Sequence, residues 1–139
     1  YQYSRDDVDA RSLANSYAQM LGNIFTHEMK PMEVEILVAE VGLVSANDQM
    51  FHILYDGTVV DQRDFTAIGG YAEAIKTRLE EAWRDDLTLA EAIQMGVAAL
   101  SGGEREIPAK ELEVAELSRK NGRRCFHRLS FDELESALA

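Results

Sequence analysis

An α+β fold with antiparallel sheet and covering helices is predicted by three features of this 139-residue sequence. Strand-length apolar runs are grouped between blocks whose apolar residues recur at helical spacing. Turn dipeptides, Asp56-Gly57 and Asn121-Gly122, fall between β-rich segments. Capping-box patterns at Thr88-Leu89-Ala90-Glu91 and Ser130-Phe131-Asp132-Glu133 mark two helix starts. The resulting order is helix, three strands, two helices, two strands, helix, with no internal repeat, linker or low-complexity stretch.

The first helix is expected over about residues 7 to 28, because Leu13, Tyr17, Met20, Leu21, Ile24 and Phe25 recur every three or four positions behind Asp6, Asp7 and Asp9. Pro31 stops it. From Met32 to Val44 the chain reads as a strand, with Val34, Ile36 and Val38 on one face and Leu37, Ala39 and Val41 on the other. Two apolar faces predict a central, covered strand. Asn47-Asp48 turns the chain into a second strand through Tyr55, and Asp56-Gly57 predicts a type I′ hairpin into a third that runs to about Ile68.

Gly69-Gly70 breaks that strand ahead of a second helix with Tyr71, Ala74, Ile75, Leu79, Ala82 and Trp83 on its apolar stripe. A third helix carries Leu89, Ile93, Val97 and Leu100 on one face. Residues 101 to 106 form a polar loop. Leu112 to Leu117 and Cys125 to Leu129 then make a hairpin about Asn121-Gly122, and a short helix ends at Leu138.

With 46% apolar residues the length suits one compact domain. A formal charge of −11 makes phosphate backbones poor partners for the bulk surface, so nucleic acid is disfavoured. No apolar run approaches the roughly 20 residues of a membrane span. A lone cysteine, Cys125, excludes an internal disulfide framework and any Cys-only metal site, and leans toward a reducing cytosol. Tyr1-Gln2-Tyr3-Ser4-Arg5 is neither an initiator methionine nor an apolar leader, so the chain reads as cut from something longer.

No assembled chemistry emerges from the residues. Cys125 and His127 share a strand face, and His52 could approach them, but two local ligands do not make a metal site, and none is assigned. Three scattered histidines establish no nucleophile–base–orienter triangle. His27 is accounted for by the end of the first helix, where a cation favours the dipole. Glu33 and Glu35 could be imagined as paired carboxylates, yet a solvated strand end explains them. Gly69-Gly70 lacks the spacing of a phosphate loop and reads as a tight strand-to-helix turn. Tyr71 and Trp83 read as core. Catalytic, cofactor-binding and metal residues are therefore set at none, and no cofactor is expected.

The order of elements and their local wording resemble the C-terminal part of an α-type subunit of the proteasome core particle, bacterial type. Asp7-Val8 through Leu21-Gly22 is similar to that fold's second helix, and Lys30 through Gly42 to the strand after it. Leu54-Tyr55-Asp56-Gly57-Thr58 resembles the family's hairpin, and Leu112 to Leu117 with Phe126 to Leu129 its last one. Phe65-Thr66-Ala67-Ile68-Gly69-Gly70 is similar to the segment where α subunits carry an Ala-Ile-Gly type sequence and active β subunits usually a Gly-Ser-Gly type.

The resemblance implies an N-terminal-nucleophile-hydrolase-like αββα sandwich with antiparallel sheets. This chain would be a single partial domain over residues 1 to 139, incomplete at its N-terminus, where the extension, opening strands and first helix are missing. It further implies a non-catalytic structural subunit of a cytoplasmic threonine-type endopeptidase complex. Such subunits form a heptameric outer α ring that supports catalytic β rings, gates the entry of unfolded protein substrates and docks a ring ATPase. The nucleophile of active relatives, a processed N-terminal Thr, has no counterpart at Tyr1. The gate and the lysine that receives an activator's C-terminus lie in the missing part, so no site residue transfers. Two alternatives stand beside this: a fragment of an active β-type or other N-terminal-nucleophile hydrolase, and an independent acidic binding domain.

Overall fold

The structure, a computed structural model, describes residues 9–27, 34–122 and 124–139, the side chains of 25–27 and 121 excepted. The expected starts of the first helix and first strand, with Pro31 and Glu33, lie outside the described residues. Two compact units divide the chain between Asp64 and Phe65.

In the first unit α1 (Ala10–His27) lies on one face of an antiparallel sheet of β1 (Ile36–Glu40), β2 (Gln49–Ile53) and β3 (Val59–Gln62), in that spatial order. Asp9 caps α1, its carboxylate accepting the Ser12 N–H at 2.7 Å, and the Glu40 carboxylate at the end of β1 accepts the Ala10 N–H at 3.4 Å. The stripe that α1 buries consists of Ala10, Ala14, Ala18 and Leu21, packed on Phe51 and Ile53 with Ile36, Val38 and Val59 around them. Tyr17 and Met20, expected inward, are 39% and 46% exposed. Spacing alone admits both stripes, and the small one wins because alanines let the helix backbone approach the sheet. Arg11 lies over the Phe51 ring, 5.1 Å from its centroid, and closes the core on that side.

The expected position of the first strand is corrected. Among the described residues β1 lies at the edge of the sheet, and β2, with Phe51, His52 and Ile53 all buried, is the central strand. Apolar residues on two faces report what lies above and below a strand and nothing about its lateral neighbours. Leu37, on the face away from α1, is 40% exposed.

The hairpin at Asp56-Gly57 exists, but its turn differs from the expected type I′. The Gly57 N–H donates to the Leu54 carbonyl at 3.0 Å and the Leu54 N–H to the Thr58 carbonyl at 2.9 Å, so Tyr55-Asp56-Gly57 is a three-residue loop. Gly57 alone takes positive φ, +88°, while the Asp56 carboxylate accepts the Thr58 N–H at 2.9 Å. A Cβ on Gly57 would meet the Ala18 carbonyl at 2.6 Å, because α1 rests against this loop. β3 stops at Gln62 rather than Ile68, since Asp64 adopts φ +65° and turns the chain.

The second unit begins with Phe65 and a Gly69-centred turn into α2 (Ala72–Ala82). Gly69 sits at φ +116°, and its carbonyl accepts the Ala72 N–H at 3.3 Å. Ile75 and Leu79 of α2 pack with Ala99 of α3 (Leu89–Ser101), joined by Phe65, Ala67 and Met95. Trp83 leaves the helix in extended conformation and stacks obliquely on Phe65, centroids 5.7 Å apart. Tyr71, expected in the core, is 82% exposed because it is the N-cap and lies ahead of the helical phase. On α3, Ile93 and Ala99 are buried whereas Leu89 and Leu100 face outward.

Both capping boxes are complete, at Thr88–Glu91 and at Ser130–Glu133, and α4 (Phe131–Leu138) buries Leu134. The last hairpin is shorter than expected, β4 (Ala115–Leu117) pairing with β5 (Phe126–Arg128). A 3-10 turn at Arg119–Asn121 replaces a tight two-residue turn there, and the Ser118 N–H donates to the Cys125 carbonyl at 2.9 Å.

Candidate functional site

The sequence singled out Cys125, His127, His52, His27, Glu33, Glu35 and the Gly69-Gly70 turn, and the structure pairs His52 with Glu35 and His127 with Glu133 rather than gathering the described ones about a common centre. On the sheet face away from α1, His52 is buried at 7% exposure and its Nε2 lies 2.5 Å from Oε2 of Glu35. Glu35 is therefore more than a solvated strand end. Its position two residues before Leu37 places it on the same face, and the Leu37–His52 register brings the pair together. That pairing depends on register, which no local pattern encodes.

In the second unit, His127 on β5 and Glu133 on α4 form the best-defined polar junction. His127 Nε2 lies 2.9 Å from Glu133 Oε2, while Oε1 of the same carboxylate accepts the Ser130 N–H at 3.1 Å. One carboxylate thus caps a helix and ties it to a strand. The hydrogen bond to Glu133, helped by its charge, holds the His127 pKa above the ordinary 6.5. The bond to His127 and those to Ser130 hold Glu133 below 4.5. Cys125 lies just before β5, half-buried and in no disulfide, and takes no part in this pair. His27 is the last residue of α1, and its side chain is outside the described set.

Arg78 is a residue that sequence reasoning missed. Its guanidinium donates to the Ala99 carbonyl at 2.8 Å, at the C-terminal end of α3, where Gly102 turns left-handed at φ +62°. A Cβ on Gly102 would collide with that guanidinium at 2.6 Å. The only signal in the sequence was the glycine after α3; the arginine sits 21 residues before Ala99, whose carbonyl it binds.

Among the described residues no group of three or more His, Cys, Asp and Glu side chains is placed to hold a metal ion. Nor is any helix of the described residues long and apolar enough to cross a membrane. The Gly69-Gly70 turn leads into α2 through Tyr71, which makes no side-chain cap. Ala67 packs into the α2–α3 core beside it. What these groups do chemically is hold the backbone: they cap, pair and pin, and none sets a base against a nucleophile.

A protein-family model described as "Proteasome subunit" matches residues 1–117, which run through α1, the three-stranded sheet, α2, α3 and β4. This chain belongs to the proteasome subunit family. The chain is 52% identical over 138 residues to a protein named "Proteasome subunit alpha" from Acidimicrobium ferrooxidans, covering 99% of this chain and 60% of that protein. It is 53% identical over 141 residues to the protein of that name from Streptosporangium roseum, covering all of this chain and 54% of the relative. A third relative of the same name, from Sanguibacter keddieii, is 48% identical over 144 residues and is covered to 56%. The chain thus spans rather more than half the length of the relatives it matches.

The match to the proteasome subunit family model takes in the segments quoted above for the resemblance except Phe126 to Leu129. Leu54 to Thr58 is the three-residue hairpin against which α1 rests, and Ala67-Ile68-Gly69 is the turn into α2.

Proposed function

We propose that this chain is the greater part of an α-type proteasome subunit, a structural component that contributes no catalytic residue. The observation that carries the reading is the match of essentially the whole chain, at about half identity, to bacterial proteins named as alpha subunits. In this reading residues 1 to 139 are a single partial domain of the αββα, N-terminal-nucleophile-hydrolase type. The whole subunit joins a heptameric outer ring in the cytoplasm, supports rings of catalytic β subunits, gates the entry of unfolded substrates and docks a ring ATPase. Threonine-type endopeptidase activity belongs to the β subunits.

The test is to purify the α polypeptide that carries this segment, alone and co-expressed with the β-type subunit of the same genome, and to assay both against small fluorogenic peptides. No turnover is expected from the α polypeptide alone, and turnover should co-sediment with a stacked particle when β is present. Activity of the α polypeptide that survives repurification and vanishes on substituting one of its own residues would overturn the reading in favour of an N-terminal-nucleophile hydrolase.

A further inference from the structure

Among the described residues the core takes in one polar or charged side chain, His52 of β2. It sits in the middle strand of its sheet, and its register partners are Leu37 of β1 and Val60 of β3. Both are aliphatic, and neither can satisfy a ring nitrogen or balance a charge. A polar ring held between them is costly unless a partner satisfies it. Glu35 is that partner, its Oε2 2.5 Å from His52 Nε2. The His52 side chain is 8% exposed and the Glu35 side chain 37%, so the carboxylate stands at the edge of water and the imidazole behind it. A proton gained by the ring puts a positive charge inside, and Glu35 is placed to balance it.

The other charges carried by these elements lie elsewhere. On α1, which covers the opposite face, Arg11 lies over the Phe51 ring and pairs with Asp61 of β3 at 3.8 Å. Asp61 is the register partner of Phe51 and shares its face. Glu40, at the far end of β1, accepts the Ala10 N–H. β2 itself carries no Asp, Glu, Lys or Arg. Among the described residues no group but Glu35 bonds or ion-pairs with His52. Register makes the pair a fastener, because a slip of one residue would turn Glu35 to the other face of the sheet.

We propose that His52 and Glu35 form a proton-operated clasp between β1 and β2. When the ring is neutral, its Nε2–H donates to the carboxylate as a dipole to a charge. When the ring gains a proton, the same bond joins two opposite charges in a partly dry site and is roughly twice as strong. Imidazole is the side chain that ordinarily makes this change between about pH 5 and 8. Acidification over that range therefore tightens the start of β1 onto β2, and a return to alkaline pH slackens it. The inference goes beyond the function proposed above and does not depend on ring assembly, because it uses only groups within the first unit.

The test is hydrogen exchange of the β1 amides in the polypeptide that carries this segment, followed from about pH 8 to about pH 5.5, with each rate taken relative to that of an unstructured chain at the same pH. Protection of residues 36–40 should rise about fivefold as the pH falls. Glu35→Gln should reverse the sign, since proton uptake then leaves an unbalanced charge inside. His52→Arg, whose charge is permanent, should give protection that no longer varies with pH. A flat wild-type profile, a Glu35→Gln profile with the wild-type slope, or a His52→Arg profile that still rises toward acid would each overturn the proposal. Where His52→Arg fails to fold, the slopes of the wild type and of Glu35→Gln decide. The amides of α4 provide the remaining arm: a slope of the same size there and in β1 would mark a change in the stability of the whole chain, and so overturn a clasp local to the sheet.

Discussion

The first unit is held from its centre and the second from its edges. In the first, Leu21, Phe51 and Ile53 are at most 1% exposed and meet across a helix–sheet interface formed by residues far apart in sequence. In the second, the most buried large side chains, Leu134, Leu79, Ile93 and Ile75, retain 3 to 9% exposure, and order is set by two capping boxes, the Arg78 contact to Ala99 and the His127–Glu133 pair. The difference teaches that the two units should fail differently. Loss of volume should break the first, and loss of one hydrogen bond should loosen the second only locally.

The largest effect is expected from Phe51→Ala, which empties the middle of the sheet and should cost about 3 to 5 kcal/mol. Leu134→Ala in α4 should cost less, near the low end of the roughly 2 to 5 kcal/mol range for such truncations, because α4 is a helix of 8 residues that buries Leu134 alone. Denaturant titration followed by circular dichroism, and by the fluorescence of Trp83, the single tryptophan, which lies in the second unit, would separate the two. Equal costs would break the comparison.

Next comes Gly57→Ala. It places a methyl group 2.6 Å from the Ala18 carbonyl at a backbone φ of +88°, and should destabilise by more than about 1 kcal/mol. This position separates what was legible from what was not. The Asp-Gly pair announced a hairpin, as side-chain alternation and turn chemistry are local. The turn type and the seat it makes for α1 were not legible, because both depend on how closely a helix some 35 residues earlier approaches.

Smaller effects are expected at the caps. Thr88→Ala and Ser130→Ala should each cost about 1 kcal/mol, since each removes the acceptor for one helix N–H at an exposed site. A cost above that of Gly57→Ala would mean that the second unit depends on its caps more than the geometry implies. Thermal melts of the two variants would decide.

The smallest effect is the pH dependence of the His127–Glu133 pair. His127 is raised above 6.5, so its contribution is complete below that value and is lost as pH rises through the raised one. Glu133 is lowered below 4.5, so its contribution is complete above 4.5 and is lost as pH falls through the lowered one. The pair should therefore stabilise α4 between about pH 4.5 and 6.5, and His127→Gln should flatten that plateau in amide exchange of α4. An unchanged profile would sever the strand-to-helix tie.

Sequence alone determined the identity and order of the elements, the two capped helix starts, the hairpin positions and the family likeness. These rest on patterns spanning a few residues, in which neighbours along the chain are also neighbours in space. Tertiary structure decided which of the two apolar stripes of α1 faces the sheet, that among the described residues β1 lies at the sheet's edge and β2 at its centre, and that Glu35 meets His52 while Arg78 caps α3. Each of these is a choice among arrangements with the same local pattern. It is settled by close packing of small residues, strand register and long-range hydrogen bonds, which join residues that the sequence holds apart.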